Sequence, residues 1–239
     1  MSVKSNIGVV TDGLVFYVDA GNDLSYPGSG GTWSDLIGGN NGSFNNMDDV
    51  NNPSNNYDSA NGGSIVFDGV DDYVDCGDSP TLNNTSITVS VWSKFSGALD
   101  SNDRKIFCYR KTTGAGGNSY AVCQMRKGDN NNRIKYQFNN NGTWYTLDLD
   151  NAMNLSDTWY NYTIVHAGNN VKAYINGTFY LENNFGANID YSNRDKIIIG
   201  YRANSEYWKG NISNLNFHNR ALSSTEVLQN YNALKNRFI

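Results

Sequence analysis

The stretch of residues 64–78, SIVFDGVDDYVDCGD, places five aspartates directly behind a run of apolar, β-forming residues. Carboxylate oxygens are ligands that Ca²⁺ prefers, and grouped carboxylates repel one another unless a cation lies between them. The same residues also favour a turn, because Asp68 can cap backbone N–H groups while Gly69 adopts a positive φ. The spacing is not that of an EF-hand loop, since Val70 stands where the second ligand is required. A cation site and a simple turn both stay open.

The carboxylates and histidines give little support for catalysis. A glycosidase needs two carboxyl groups facing each other across a cleft. The chain has only three glutamates, Glu182, Glu206 and Glu226, which are far apart in sequence. His166 and His218 lie in strand-like stretches without a convincing Ser or Cys partner, which does not indicate a nucleophilic triad. We therefore predict a protein without enzymatic activity.

Aromatic residues outside the predicted strand interiors favour binding. Trp144 and Tyr145 follow an Asn-Gly turn, and Tyr207 and Trp208 lie in the loop ANSEYWKG. Sugar rings pack their apolar faces on such side chains, so we predict these four residues as ligand-binding. The alternative is that they anchor their loops on the core.

Composition limits the classes of partner and compartment. The net charge is −5, and no basic stripe is present that could follow a phosphate backbone, so nucleic acid is not an expected partner. No apolar window is long enough for membrane insertion, and MSVKSNIGVV lacks the apolar core of a signal peptide, which predicts synthesis in a cytosol. Cys76, Cys108 and Cys123 lack metal-ligand spacing and are expected to be free thiols.

Period-two alternation recurs along the chain and predicts about a dozen strands, typical of a two-sheet sandwich. Asn176-Gly177 and the turn at 139–142 mark two hairpins. Residues 21–63 are rich in Gly, Asn and Ser and are predicted to be a long surface excursion with a few aromatic anchors, Trp33 among them. Ser223 and Glu226 form a capping box for one helix over 223–235. We predict one domain over 12–239, preceded by a segment 1–11 that suits attachment to a partner.

Several stretches together resemble the laminin-G-like branch of the concanavalin A-like lectin/glucanase superfamily. They are GLVFYVDAGN, WSDLIGGNNGSF, SIVFDGVDDYV, SITVSVWSKF, WYNYTIVHAGNNVKAYING and KGNISNLNFHNRALSSTEV, in the family's order over about residues 12–235. The resemblance implies an all-β jelly-roll sandwich of two antiparallel sheets with a short C-terminal helix. It does not by itself fix a ligand, because the fold hosts binders, enzymes and structural modules.

The resemblance also implies one structural Ca²⁺ near the first and last strands. By position, Asp19 matches the family's acidic residue on the opening strand, and Asn214 stands where the family usually has Asp. With Asp68 and Asp72 they are the candidate metal ligands. The family's glucanases carry E-x-D-x-x-E on one strand, which this chain lacks. A secreted or polysaccharide-acting glycoside hydrolase or lyase of the same fold is the alternative function.

The Asn-rich composition and the run GSGGTWSDL resemble laminin-G-like structural proteins of marine bacteriophages. This resemblance implies a virion surface protein made in the host cytoplasm, either a capsid decoration or a head or tail fibre component. Its expected partners are other virion proteins and host cell-surface glycans. A homo-oligomer on the particle is compatible with that role.

Overall fold

The computed structural model describes residues 8–47, 56–78, 86–98, 102–111, 120–127, 133–140, 142–153, 156–188, 196–202 and 206–239; for residues 110–111, 120–124 and 126 only the backbone is described. Sixteen strands occur in these ranges: β1 Leu14–Asp19, β2 Thr32–Trp33, β3 Gly42–Asn45, β4 Tyr57–Asp58, β5 Ser64–Asp68, β6 Tyr73–Asp78, β7 Ser86–Phe95, β8 Arg104–Lys111, β9 Tyr120–Lys127, β10 Ile134–Asn140, β11 Thr143–Leu149, β12 Trp159–Ala167, β13 Asn170–Ile175, β14 Thr178–Asn184, β15 Lys196–Ile199 and β16 Lys209–His218.

The strands form two antiparallel sheets. Sheet A has the order β14-β13-β12-β7-β16-β5-β4, and β1 pairs with β16 beyond the end of β5. Sheet B has the order β11-β10-β9-β8-β15-β6-β3-β2. The predicted all-β sandwich of two antiparallel sheets is therefore confirmed.

The core lies between the two sheets because alternate residues of each strand point inward. Sheet A contributes Phe16, Val89, Ile164 and Phe217, and sheet B contributes Phe107, Tyr136, Phe138 and Ile199, all fully buried. Phe217 lies at the centre and makes edge-to-face contacts with Phe16 at 6.0 Å and Phe107 at 5.4 Å between ring centres.

The predicted hairpins are present. Asn176 and Gly177, at φ 51° and 73°, form the two-residue loop between β13 and β14, as their tolerance of positive φ requires. The second hairpin joins β10 to β11, with Asn140 paired to Thr143.

The helix α1, Ser224–Leu234, packs on the outer face of sheet A. The Ser223 side chain accepts the N–H of Glu226 while the Glu226 side chain accepts the N–H of Ser223, so the predicted capping box is confirmed. Trp92 of β7 stacks against Tyr231 of the helix and Phe238 beyond it, with ring centres 5.5 and 4.1 Å apart. The C-terminal segment thus covers the central strands of sheet A.

The excursion at 21–63 is more regular than predicted, because β2, β3 and β4 lie within it. Its anchors behave as expected: Trp33 is fully buried, and Tyr26 packs between Phe44 and Tyr57, with ring centres 5.4 Å from each. These contacts attach the excursion to both sheets.

The beginning of the described chain is bonded to the domain itself. Val10 donates its N–H to Asn230 Oδ1 at 2.7 Å, its carbonyl lies 2.9 Å from His218 Nε2, and Gln229 donates to the carbonyl of Gly8 at 3.0 Å. Residues 8–10 of the predicted attachment segment therefore pack on α1 and β16. Residues 1–7 lie outside the described part of the chain.

Cys76 and Cys108 are buried thiols. Burial raises the pKa of the Cys76 thiol well above its ordinary value, which keeps it protonated and unreactive. The side chain of Cys123 lies outside the described part of the chain.

Candidate binding site

The aspartate turn, residues 68–72, joins β5 to β6. Asp68 Oδ1 accepts the backbone N–H groups of Val70 at 2.7 Å and Asp71 at 3.3 Å, and Asp72 Oδ2 accepts the N–H of Asp68 at 2.8 Å. Asp68, Asp71 and Asp72 each still offer a carboxylate oxygen within 4.8 Å of the others. This donor set suits a hard divalent cation, so the turn and the cation site are compatible interpretations. Asp71 is the member of this group that was not among the predicted ligands.

Asp19, at the end of β1, does not belong to this group. Its Oδ2 accepts hydrogen bonds from Arg237 Nη1 and Tyr17 Oη, both at 2.9 Å, and its Oδ1 accepts the N–H of Gly21 at 2.9 Å. In this structure Arg237 therefore supplies the positive charge beside Asp19. The assignment of Asp19 as a calcium ligand stays a prediction.

Asn214 is also remote from the aspartate turn. On β16 it pairs with Asp19 of β1, whereas Lys209 of the same strand pairs with Asp68. Five positions along a strand correspond to about 16 Å. Asn214 lies beside Trp92 of β7, beneath the C-terminal segment, and is fully buried. The four predicted ligands thus do not form one site but two separate pairs, Asp19 with Asn214 and Asp68 with Asp72.

Trp208 is not available to a ligand. Its side chain is fully buried and packs edge-to-face on Phe95, with ring centres 5.7 Å apart. Tyr207, its neighbour, lies partly exposed on the other side of the chain. Successive side chains of an extended segment alternate between faces, so one residue of the Tyr-Trp pair enters the core and the other leaves it. The prediction of Trp208 as a binding residue is wrong for this reason.

The same alternation separates Trp144 from Tyr145 on β11. Tyr145 stacks on Phe138, with ring centres 5.1 Å apart at 14°, and packs against the core together with Phe185. Tyr145 therefore contributes mainly to the packing of the core. Trp144 points to the outer face of sheet B and is half-buried, with the Arg202 guanidinium 5.5 Å from its ring centre.

The outer face of sheet B also carries a stack of three tyrosines, which we call the tyrosine stack: Tyr73, Tyr201 and Tyr207. The rings of Tyr201 and Tyr207 lie 4.4 Å apart at 12°, and Tyr73 lies 5.3 Å from Tyr201. All three are partly exposed. Burial, then Tyr201, which shares a hydrogen bond with Tyr207, and Asp71 raise the pKa of Tyr207, so its hydroxyl stays protonated. Sequence analysis identified only Tyr207, since nothing in the local pattern links it to Tyr73.

Arg104, at the start of β8, joins the tyrosine stack to the aspartate turn. Its Nη1 donates to the carbonyl of Gly69 at 3.3 Å and to the carbonyl of Tyr207 at 3.2 Å. Two backbone hydrogen bonds also hold the chain near the stack. The backbone N–H of Trp208 donates to the carbonyl of Gly200 at 2.7 Å, and the N–H of Gly200 donates to the carbonyl of Ile106 at 2.9 Å. An aromatic surface and a cluster of carboxylates therefore lie side by side on a rigid sheet.

The glutamates and histidines occupy structural positions. Glu182 pairs with Lys172 at 3.5 Å and Glu206 with Lys105 at 3.1 Å. Hydrogen bonds from Arg220 and Ser223 hold the pKa of Glu226 near 2, opposite to the shift that a general acid requires. His166 Nδ1 lies 3.2 Å from Tyr136 Oη between the sheets, and burial lowers its pKa to about 4.

Within the described ranges, the protein has no helix long and apolar enough to cross a bilayer.

Comparisons with known proteins agree with this architecture. Residues 68–228, more than half of the chain, match the family described as the concanavalin A-like lectin/glucanases superfamily, of the laminin G type. No curated protein matches the chain significantly. Among solved structures, Trypanosoma rangeli sialidase in complex with sialic acid is similar with a TM-score of 0.66 and 13% identity, over 95% of this chain and 34% of that one.

The botulinum neurotoxin serotype D binding domain is similar with a TM-score of 0.66 and 16% identity, over 92% of this chain and 51% of that one. The type G receptor binding domain gives 0.61 and 16%, with the same coverage. This chain thus spans between a third and a half of these proteins, and at such identities the likeness concerns the fold alone. With the two-sheet sandwich and the family match together, the chain belongs to the concanavalin A-like lectin/glucanase superfamily, whose members include both enzymes and binding modules.

Proposed function

We propose that the chain is a glycan-binding module without catalytic activity, and that the tyrosine stack and Trp144 form its recognition surface. The observation that carries this proposal is the face-to-face contact of Tyr201 and Tyr207, at 4.4 Å, on the partly exposed outer face of sheet B. Planar side chains that are already packed against one another lose little entropy on binding and present flat apolar area to a sugar ring.

The neighbouring polar groups suit the hydroxyls of a carbohydrate. The carboxylates of the aspartate turn accept hydrogen bonds. Strands β6 and β11, which carry Tyr73 and Trp144, are five positions apart in sheet B, or about 24 Å. Aromatic side chains this far apart would contact different sugar units, so the proposed ligand is an oligosaccharide rather than a single sugar.

A glycan array followed by isothermal titration tests the proposal. We expect the wild-type protein to bind at least one glycan, and Tyr207→Ala and Trp144→Ala each to weaken that binding by roughly tenfold. Phe179→Ala is the matched control, because Phe179 is an aromatic residue 52% exposed on sheet A, away from this face. Failure of the wild-type protein to bind any glycan, or equal loss in the control, contradicts the proposal.

The absence of catalysis is tested separately. The three glutamates are held in ion pairs, and the two histidines lie in the interior, which supports a non-enzymatic role. Purified protein should not release sugars from laminarin, agar or peptidoglycan. Turnover that one aspartate substitution abolishes would favour the hydrolase or lyase alternative.

We further propose that the module belongs to a phage virion, as a capsid decoration or a head or tail fibre component. Its support is the resemblance of the composition and of GSGGTWSDL to phage structural proteins, and the buried thiols of Cys76 and Cys108, which suit assembly in a reducing cytoplasm. Mass spectrometry of purified particles should detect the protein at a fixed stoichiometry. Its recovery only from the particle-free lysate would contradict this assignment.

A further inference from the structure

The guanidinium of Arg237 lies among oxygen atoms that come from three separate parts of the chain. Its Nη1 donates to Asp19 Oδ2 at 2.9 Å, and its Nη2 donates to the carbonyl of Gly62 at 3.0 Å and to Ser213 Oγ at 2.9 Å. Asp19 belongs to β1, Ser213 belongs to β16, and Gly62 lies in the segment before β5. One side chain thus contacts a carboxylate, a backbone carbonyl and a hydroxyl at the same time.

Asn214 adds a fourth oxygen beside this group. It pairs directly with Asp19 in the register of β1 and β16, so the two side chains leave the same face of sheet A. Asn214 is fully buried, and neither its Oδ1 nor its Nδ2 has a hydrogen-bond partner among the described residues. A buried amide without partners costs free energy. We call Asp19, Gly62, Ser213 and Asn214 the oxygen cage.

Two glycines make the space in which the guanidinium lies. A Cβ at Gly21 would lie 1.9 Å from Arg237 Nη2, and a Cβ at Gly62 would lie 2.7 Å from Arg237 Nε. Gly62 also has a φ of 74°, which favours glycine. Because no side chain occupies these two positions, the cation lies directly against the backbone and meets the Gly62 carbonyl.

The oxygen cage contains one carboxylate, and a buried carboxylate needs a counter-charge. Arg237 supplies that charge through its guanidinium. The oxygens of carboxylates, amides and backbone carbonyls are also the ligands that Ca²⁺ takes in proteins. A guanidinium and a Ca²⁺ ion cannot share the cage, because both need the same Asp19 oxygens and the two positive charges repel each other.

From this arrangement we propose that Arg237 serves as a built-in cation of the oxygen cage, and that Ca²⁺ binds there only when the guanidinium has left. The wild-type fold therefore needs no ion at Asp19. Since Phe238, the next residue, stacks on Trp92, loss of the guanidinium from the cage also weakens the attachment of the C-terminal segment to sheet A. Binding of the ion and docking of this segment oppose each other, as linkage requires. This inference does not depend on the proposed glycan binding.

The test removes the guanidinium and supplies calcium. An Asp71→Asn background removes the response of the aspartate turn. In that background Arg237→Ala should melt below its parent, and about 20 mM CaCl2 should raise its melting temperature by roughly 5 °C, for a Kd of about 0.5 mM at a site with one carboxylate. The parent, which keeps Arg237, should shift by less than about 1 °C. Sodium chloride at the same ionic strength is the control for screening.

Two further variants in the same background assign the effect to the cage. Lys235→Ala removes a positive charge from the same C-terminal segment, where the ammonium lies 5.6 Å from the Tyr231 ring centre, and it should create no calcium response. Asp19→Asn combined with Arg237→Ala removes both charges of the pair. This protein should fold without calcium and should not respond to it, because a neutral amide needs no counter-charge.

The absence of a calcium response in Arg237→Ala overturns this inference, and so does a response that survives Asp19→Asn or that the parent shows equally. If Arg237→Ala is unfolded without calcium, circular dichroism during a calcium titration replaces the melting curve. Recovery of the native spectrum then supports the exchange, and a chain that stays unfolded contradicts it. Each of these results leaves the glycan-binding proposal to its own test.

Discussion

Arg237 and Asp19 form an ion pair across 218 residues of sequence, with Nη1 and Oδ2 2.9 Å apart. The pair is largely buried, with 7% of the Asp19 side chain and 20% of the Arg237 side chain exposed. Arg237 Nη2 also donates to the carbonyl of Gly62 and to Ser213 Oγ. One guanidinium therefore ties the C-terminal segment to β1, β16 and the excursion that precedes β5.

Loss of this guanidinium should destabilise the fold. Arg237→Met leaves the buried Asp19 carboxylate without its counter-charge, and we expect the free energy of unfolding in urea to fall by about 3 kcal/mol. Lys172→Met removes an exposed ion pair and should cost less than about 1 kcal/mol. Equal losses of unfolding free energy in the two variants would show that the Arg237–Asp19 pair stabilises the protein no more than an exposed ion pair does.

Calcium, if it binds, should act at the aspartate turn and not at Asp19. Saturating Ca²⁺ added to chelated protein should raise the melting temperature, because an ion that binds only the folded state stabilises it by about 2.7 kcal/mol at one hundred times its Kd. Asp71→Asn should remove most of this response, while Asp23→Asn, an exposed aspartate elsewhere, should keep it. Calorimetry in which calcium leaves the wild-type transition unchanged would establish a turn without a metal.

Acid should destabilise the protein through His166. Burial lowers its pKa from 6.5 to about 4, so the unfolded chain takes up a proton at a pH where the folded protein does not. The stability that this neutral histidine contributes is complete above pH 6.5 and declines as the pH falls towards 4, by roughly 3 kcal/mol over the interval. Burial lowers the pKa of His218 too, which adds in the same direction.

Urea denaturation at pH 7, 5.5 and 4.5 measures this dependence. His166→Phe should be less stable than the wild-type protein at pH 7, because the hydrogen bond with Tyr136 is lost, but its stability should change less with pH. Parallel curves for the two proteins would assign the acid effect to other groups.

Substitution of Trp208 should mainly lower stability, whereas substitution of Tyr207 should mainly lower glycan affinity. Trp208→Ala opens a cavity in the core and should cost about 3–5 kcal/mol of unfolding free energy. Tyr207→Ala removes a partly exposed ring and should cost less than about 1.5 kcal/mol, while it lowers glycan affinity. Denaturation and titration on the same preparations check both statements, and the opposite assignment of effects would contradict the orientation of the two side chains.

Local sequence pattern is enough to predict the sandwich, its hairpins and its terminal helix, because alternation, Asn-Gly turns and the capping box each act within a few residues. It also places Asp68 and Asp72 together, since both belong to one turn. It does not separate Tyr207 from Trp208, because which of two neighbours faces the core depends on how the chain leaves β15 and enters β16.

The remaining errors concern partners far away in sequence. Arg237 reaches Asp19 from the other end of the chain, and Tyr73 meets Tyr201 only because β6 and β15 are neighbours in sheet B. Strand order and register, rather than composition, decide these contacts.

The two described thiols lie on opposite faces of sheet B. Cys76 belongs to the core between the sheets, whereas Cys108 pairs with Ile198 on the opposite face of the sheet, which also carries Lys135. A thiol reacts with an alkylating reagent only when it becomes exposed, so the labelling rate of Cys76 reports separation of the sheets and that of Cys108 reports opening of the outer face. In a Cys123→Ser background, the difference between the two rates measures how often the proposed glycan surface rearranges while the core stays intact.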